Sequence, residues 1–82
     1  LKISLYPNPA HEELNILIEN PKSELSVTII SVTGKIIFSK NYINFSGTLN
    51  EKISFNDQFG GVCFVIINDG QIIKTEKIII SF

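Results

Sequence analysis

The chain has 82 residues, of which 44% are hydrophobic and 18% charged, with a formal net charge of −1. This is one domain's worth of apolar side chains and excludes an intrinsically disordered segment, while the absence of arginine removes the fork used for phosphate and base contacts and argues against a nucleic-acid partner. The single Cys63 excludes an internal disulfide and a multi-cysteine metal site, and the longest apolar run, Val62 to Ile67, falls far short of the roughly 18 to 20 residues a membrane-spanning helix needs.

Isoleucine dominates the composition, alanine occurs once (Ala10), and methionine and tryptophan are missing. That vocabulary is β-branched and poor in helix formers. Apolar residues recur at every second position, the period of a half-buried strand. Seven strands are predicted. Leu1 to Tyr6 alternates Ile3 and Leu5 and stops at Pro7, which has no donor for a sheet ladder. Leu14 to Glu19 sets Leu14, Ile16 and Ile18 on one face and ends at Asn20-Pro21. Glu24 to Val32 sets Leu25, Val27 and Ile29 opposite Ser26 and Thr28. Thr33-Gly34 then turns the chain into Lys35 to Tyr42, the signature of a hairpin. After a loop at Asn44 to Gly47 comes Leu49 to Phe55, followed by a loop at Asn56 to Gly60. Gly61 to Ile67 is apolar on both faces, which predicts a central strand buried on both sides. Asn68-Asp69-Gly70 predicts a tight hairpin, and the last strand runs from Gln71 to about Ser81. Pro9 to Glu13 is too short to persist as a helix and reads as an irregular loop. Seven short strands with a turn roughly every ten residues predict an all-β fold, a seven-stranded antiparallel immunoglobulin-like β-sandwich forming a single domain over residues 1–82.

Little in the chain suggests catalysis. His11, the one histidine, stands beside Glu12 and Glu13 in a proline-flanked loop, without the ligand spacing of a zinc site, and reads as a solvated residue rather than a general base. Cys63 lies among Val62, Phe64 and Val65, with no cationic neighbour in sequence to activate its thiol, and reads as an inert core residue. Asn56-Asp57 and Asn68-Asp69-Gly70 offer too few oxygens for calcium, and Gly60-Gly61 lacks the lysine and hydroxyl of a phosphate loop. The expectation is a protein that is not an enzyme and uses no cofactor and no metal.

The positional pattern is more informative. Tyr6-Pro7-Asn8-Pro9 closes the first strand with two prolines around an asparagine, a stiff corner. It is followed by Leu14-Asn15-Ile16, by Val27 to Val32 leading into Thr33-Gly34-Lys35, by Gly61-Val62-Cys63-Phe64-Val65, and by Asn68-Asp69-Gly70. The chain finishes on Lys74-Thr75-Glu76-Lys77-Ile78-Ile79-Ile80. In this order and spacing, over essentially the whole chain, the pattern resembles the type A carboxy-terminal sorting domain of the type IX secretion system of Bacteroidetes bacteria. The family usually has tyrosine where this chain has Cys63, and Leu-Pro before the position of Gly60 where this chain has Gln58-Phe59.

The resemblance implies a non-catalytic signal at the end of a secreted cargo protein. Its expected partners are the outer-membrane secretion machinery, a sortase-like peptidase that usually removes it, and the cargo joined at its amino-terminal side. The expected location is secreted or at the cell surface, reached through the periplasm. A chain that opens on Leu1 and contains no methionine fits a fragment of a longer precursor. On the pattern of the resemblance the recognition residues are Tyr6, Pro7, Asn8, Pro9, Gly34, Lys35, Gly61, Gly70, Lys74 and Lys77. The two lysines equally fit a solvated edge strand guarded against aggregation. The competing reading is a structural or carbohydrate- or cell-surface-binding β-sandwich module retained in a secreted protein, although the missing tryptophan weakens its carbohydrate form.

Overall fold

The computed structural model describes residues 2–20, 24–43, 47–55 and 60–81. Seven strands follow one another in chain order: β1 Lys2–Tyr6, β2 Glu13–Glu19, β3 Glu24–Ser31, β4 Ile36–Ile43, β5 Thr48–Ser54, β6 Gly61–Asn68 and β7 Ile73–Ile80. They form a three-stranded sheet in the order β1-β2-β5 and a four-stranded sheet in the order β4-β3-β6-β7, with every strand pair antiparallel. No helix occurs among the described residues, and Pro9 to Glu13 is the irregular segment the sequence suggests. Leu1, Pro21, and most of the expected loops at Asn44 to Gly47 and Asn56 to Gly60 lie outside the described residues.

Period-two alternation builds the core directly. Leu14, Ile16 and Ile18 of β2 face Leu25, Val27 and Ile29 of β3, joined by Cys63, Val65 and Ile67 of β6 and by Ile78 and Ile80 of β7. Each fully buried aliphatic side chain of this size contributes about 1.5 to 3 kcal/mol relative to leaving it in water. The β3–β4 register slips between Ile29 and Ile30, so that Ile29 pairs with Phe38 but Ile30 with Ile36. This bulge lets both Ile37 and Phe38 pack on the core, while Ile36 is turned out to solvent. On the β4–β5 side the gap between the sheets is closed by polar groups: Lys40 Nζ lies 3.7 Å from Glu51 Oε1 and 5.2 Å from the centre of the Tyr42 ring.

Three expectations are corrected. First, β6 is central, between β3 and β7, but only one of its faces is core. Cys63, Val65 and Ile67 are buried, whereas Val62, Phe64 and Ile66 are half-buried, because no second layer covers the outer face of the four-stranded sheet among the described residues. Second, the β6–β7 connection is displaced and longer than the expected Asn68-Asp69-Gly70 turn: Asn68 still belongs to β6 and pairs with Ile73, which leaves Asp69 to Ile72 as the loop. Asp69 is 2% exposed and organises the loop: its Oδ1 accepts from the backbone N–H groups of Gln71 (3.0 Å) and Ile72 (2.8 Å). Third, the β3–β4 turn is longer than Thr33-Gly34. Ser31 closes it, donating its N–H to Lys35 O at 2.8 Å and accepting at Oγ from Lys35 N–H at 3.1 Å. Gly34 and Gly70 take φ of 92° in these two hairpins, a conformation that a side chain would strain.

Candidate functional site

The corner after β1 offers few donors of its own, because Pro7 and Pro9 have no N–H. Both Tyr6-Pro7 and Asn8-Pro9 are cis. Asn15 Nδ2 donates to Tyr6 O at 3.3 Å and fixes the start of the corner against β2. Between the prolines, the Asn8 side chain does what a strand residue does with its backbone. Its Nδ2 donates to Lys77 O at 3.3 Å and its Oδ1 accepts from Ile79 N–H at 3.1 Å. Asparagine suits this position because its amide carries one donor group and one acceptor group, which neither aspartate nor serine reproduces at that reach. Ala10 continues the ladder, donating its N–H to Ile79 O at 2.7 Å and accepting from Ser81 N–H at 2.8 Å. It forms a parallel bridge with Ile80 and is completely buried.

The corner therefore lies along the outer edge of β7 and ties the two sheets together. The edge strand suggested by Lys74 and Lys77 is thus open along only part of its length. From Lys77 to Ser81 that edge is occupied.

The remaining sequence-predicted residues divide between the two ends of the fold. Gly61 pairs with Ile80 and so lies beside the corner. Gly34 and Lys35 belong to the β3–β4 turn at the same end, where Val32 N–H donates to Val62 O at 3.2 Å. A shallow cleft of about 220 Å³ lies between that turn and the start of β6, lined by Ser31, Lys35, Gly60 and Val62 among others. Tyr6, Pro7, Asn8, Pro9, Gly34, Lys35, Gly61 and the C-terminal part of β7 thus occupy one end, with Lys77 opposite Phe64 on the approach to it. Gly70 and Lys74 do not join them. Lys74 pairs with Ile67, six residues before Ile80, which is roughly 20 Å along the strand.

The other polar candidates stand apart from one another. His11 is exposed in a hollow of about 250 Å³ with Pro7, Glu12, Glu13 and Asn15. Cys63 is buried in β6, and burial raises its thiol pKa above the ordinary value. Two structural roles escaped the sequence reading. The Asn8 amide acts across 71 residues of chain, and no local signal could have revealed its partner. Asn68-Asp69-Gly70 signals a turn, and the same three residues are compatible with an Asx turn whose carboxylate folds inward.

No described helix is long and apolar enough to cross a membrane. A family model described as "Secretion system C-terminal sorting domain" matches residues 4–81, from the middle of β1 through the corner to the residue after β7. No curated protein matches the chain.

Proposed function

The chain belongs to the secretion-system C-terminal sorting domain family, and we propose that its corner and last strand act together as the element that the export machinery reads. Membership makes the chain a C-terminal sorting signal for type IX secretion, which directs its protein to the cell surface or the extracellular space. The role implies an attached cargo and contact with the type IX machinery. The finer reading is that the chain is one sorting domain of a longer secreted precursor, cut away by a sortase-like peptidase after transport, with no catalytic activity of its own.

One observation carries the recognition proposal: the Asn8 clamp on Lys77 and Ile79 makes two segments from opposite ends of the sequence into one continuous surface. A receptor that met this end of the fold would touch Tyr6, Pro7 and Pro9, all exposed, together with the exposed Lys77. It would meet them only in a folded chain, since the clamp exists only when both sheets have assembled. Gly34, Lys35 and Gly61 extend the same end; Lys74 and Gly70 would need a receptor reaching along the strand. The strand orders favour the immunoglobulin-like class, whose seven-stranded form likewise keeps its first, second and fifth strands in one sheet and its third, sixth and seventh in the other; here β4 sits on the edge beside β3 instead of beside β5.

The test is a reporter carrying an export signal at its amino end and residues 1–82 at its carboxyl end. Export is compared in a host possessing the type IX system and in a strain lacking it. System-dependent export is expected, and equal export in both strains would overturn the reading.

A further inference from the structure

β7 ends the four-stranded sheet, and its outer edge is divided in two. The corner covers it from Lys77 to Ser81. Both backbone groups of a residue in an antiparallel strand point to the same side. Because the N–H and C=O of Ile79 face away from β6, those of Ile73 and Thr75 do too. Among the described residues no backbone group pairs with them there. Lys74, Thr75 and Glu76 are exposed, and Ile73 is 67% exposed. Lys74 and Glu76 lie on the same face of β7, one on either side of Thr75, and neither has an ion-pair partner among the described residues.

A two-fold axis through Thr75 turns this spacing into self-complementarity. In an antiparallel pair so related, Thr75 faces Thr75 of the second copy in a hydrogen-bonded position. Lys74 then faces Glu76 of the second copy, and Glu76 faces its Lys74, in the non-hydrogen-bonded positions where side chains approach most closely. Centring the pair on Lys74 or on Glu76 instead would set like charges against each other. Edge lysines ordinarily guard a strand against pairing. Here the guard is followed two residues later by its own counter-charge. In both copies the corner ends the ladder at Lys77, which confines the contact to Lys74, Thr75 and Glu76.

We propose that this open half of β7 is a self-association edge, through which two copies of the chain join antiparallel, β7 to β7, and merge their four-stranded sheets into one continuous sheet. The contact is isologous and short, so the association is reversible. It concerns the end of β7 away from the corner and does not depend on the export reading.

Sedimentation equilibrium of the 82-residue chain at low salt, from micromolar concentrations to about 1 mM, reads the outcome directly. A concentration-dependent monomer–dimer equilibrium is expected, shifting towards monomer as salt screens the pairs. Lys74→Glu sets carboxylates against each other at both ends of the ladder and should weaken association by about tenfold or more. The exchange Lys74→Glu with Glu76→Lys rebuilds both pairs and should restore it. Thr75→Pro removes an outward N–H without touching the β6 ladder and should abolish it. Circular dichroism and thermal unfolding verify that each variant is folded. A wild-type chain that stays monomeric throughout overturns the proposal, as does a folded charge-reversal variant that associates like wild type. A monomeric chain whose Lys74→Glu variant loses system-dependent export would overturn it too, assigning the edge to the secretion machinery.

Discussion

Asn8 and Ile79 are 71 residues apart in sequence, yet the side-chain oxygen of one accepts the backbone N–H of the other at 3.1 Å. With the donation from Asn8 Nδ2 to Lys77 O, a single exposed amide supplies what an additional strand would supply to that part of β7. Net contributions of such bonds are about 0.5 to 1.5 kcal/mol each. Asn8→Ala should therefore lower stability by about 1 to 2 kcal/mol, read as a shift of the urea midpoint at constant m value. The Ile79 amide should lose protection in hydrogen exchange, whereas those of Cys63 and Val65 should keep theirs. Asn8→Asp retains the acceptor but places a second oxygen against Lys77 O, so it should not rescue the full loss.

The two faces of β6 give a paired prediction. Ile67 is fully buried, and Ile67→Ala should cost about 2 to 5 kcal/mol through lost transfer energy plus a cavity. Phe64 lies on the half-buried outer face, where truncation leaves no enclosed void, so Phe64→Ala should cost about 1 to 2 kcal/mol. Chemical denaturation of the two variants measures the difference. Equal costs would mean that the outer face of the sheet is covered in solution.

That asymmetry marks where the sequence stops being informative. Strand positions, turns and the inward sets on β2 and β3 follow from alternation and from glycine, asparagine and proline, which act locally. In β6 the alternation is silent because both faces are apolar, and only the strand order reveals that one of them has no layer above it among the described residues. Tyr6 to Pro9 and Lys77 are each visible in the sequence as motif positions. Their meeting is not, because it depends on how the β1–β2 corner passes the edge of the other sheet. The bulge at Ile29 and Ile30 is hidden for a similar reason, since Ile36, Ile37 and Phe38 are all apolar and either register looks acceptable locally.

Asp69 should be costly to remove. Its Oδ1 accepts two backbone N–H groups in the β6–β7 loop, and the side chain is almost wholly buried. Each such bond is worth about 0.5 to 1.5 kcal/mol net, and a buried donor left unpaired costs about 1 to 3, so Asp69→Ala should destabilise by about 2 kcal/mol. Asp69→Asn keeps an acceptor for Gln71 and Ile72 and should cost less. The ordering of the three urea midpoints checks this.

The Cys63 thiol should be slow towards Ellman's reagent in the folded chain. It is buried between Ser31 of β3 and Ile78 of β7, and burial raises its pKa, so both access and thiolate fraction are low. Adding denaturant should speed the reaction in step with the unfolded fraction. Rapid labelling without unfolding would contradict the burial of this strand.

Tyr42 provides the pH signature. Burial, and then the neighbouring Glu51 carboxylate, push its phenol from an ordinary value of 10.0 up to about 12. Below pH 10 the phenol is protonated in both folded and unfolded chains, and it contributes no pH dependence. Between pH 10 and 12 the unfolded chain gives up the proton first, so the folded state binds more protons and stability falls as pH rises. Above about 12 both forms are ionised and the decline attributable to this group ends. Lysines titrate in the same region, so the informative quantity is the difference between wild type and Tyr42→Phe. The variant should show a shallower loss of stability from pH 10 to 12 in urea titrations. In a Tyr6→Phe background, absorbance of the one remaining tyrosinate should rise with a midpoint near 12. A midpoint near 10 would place Tyr42 in solvent and dissolve the Lys40, Tyr42 and Glu51 closure on the β4–β5 side.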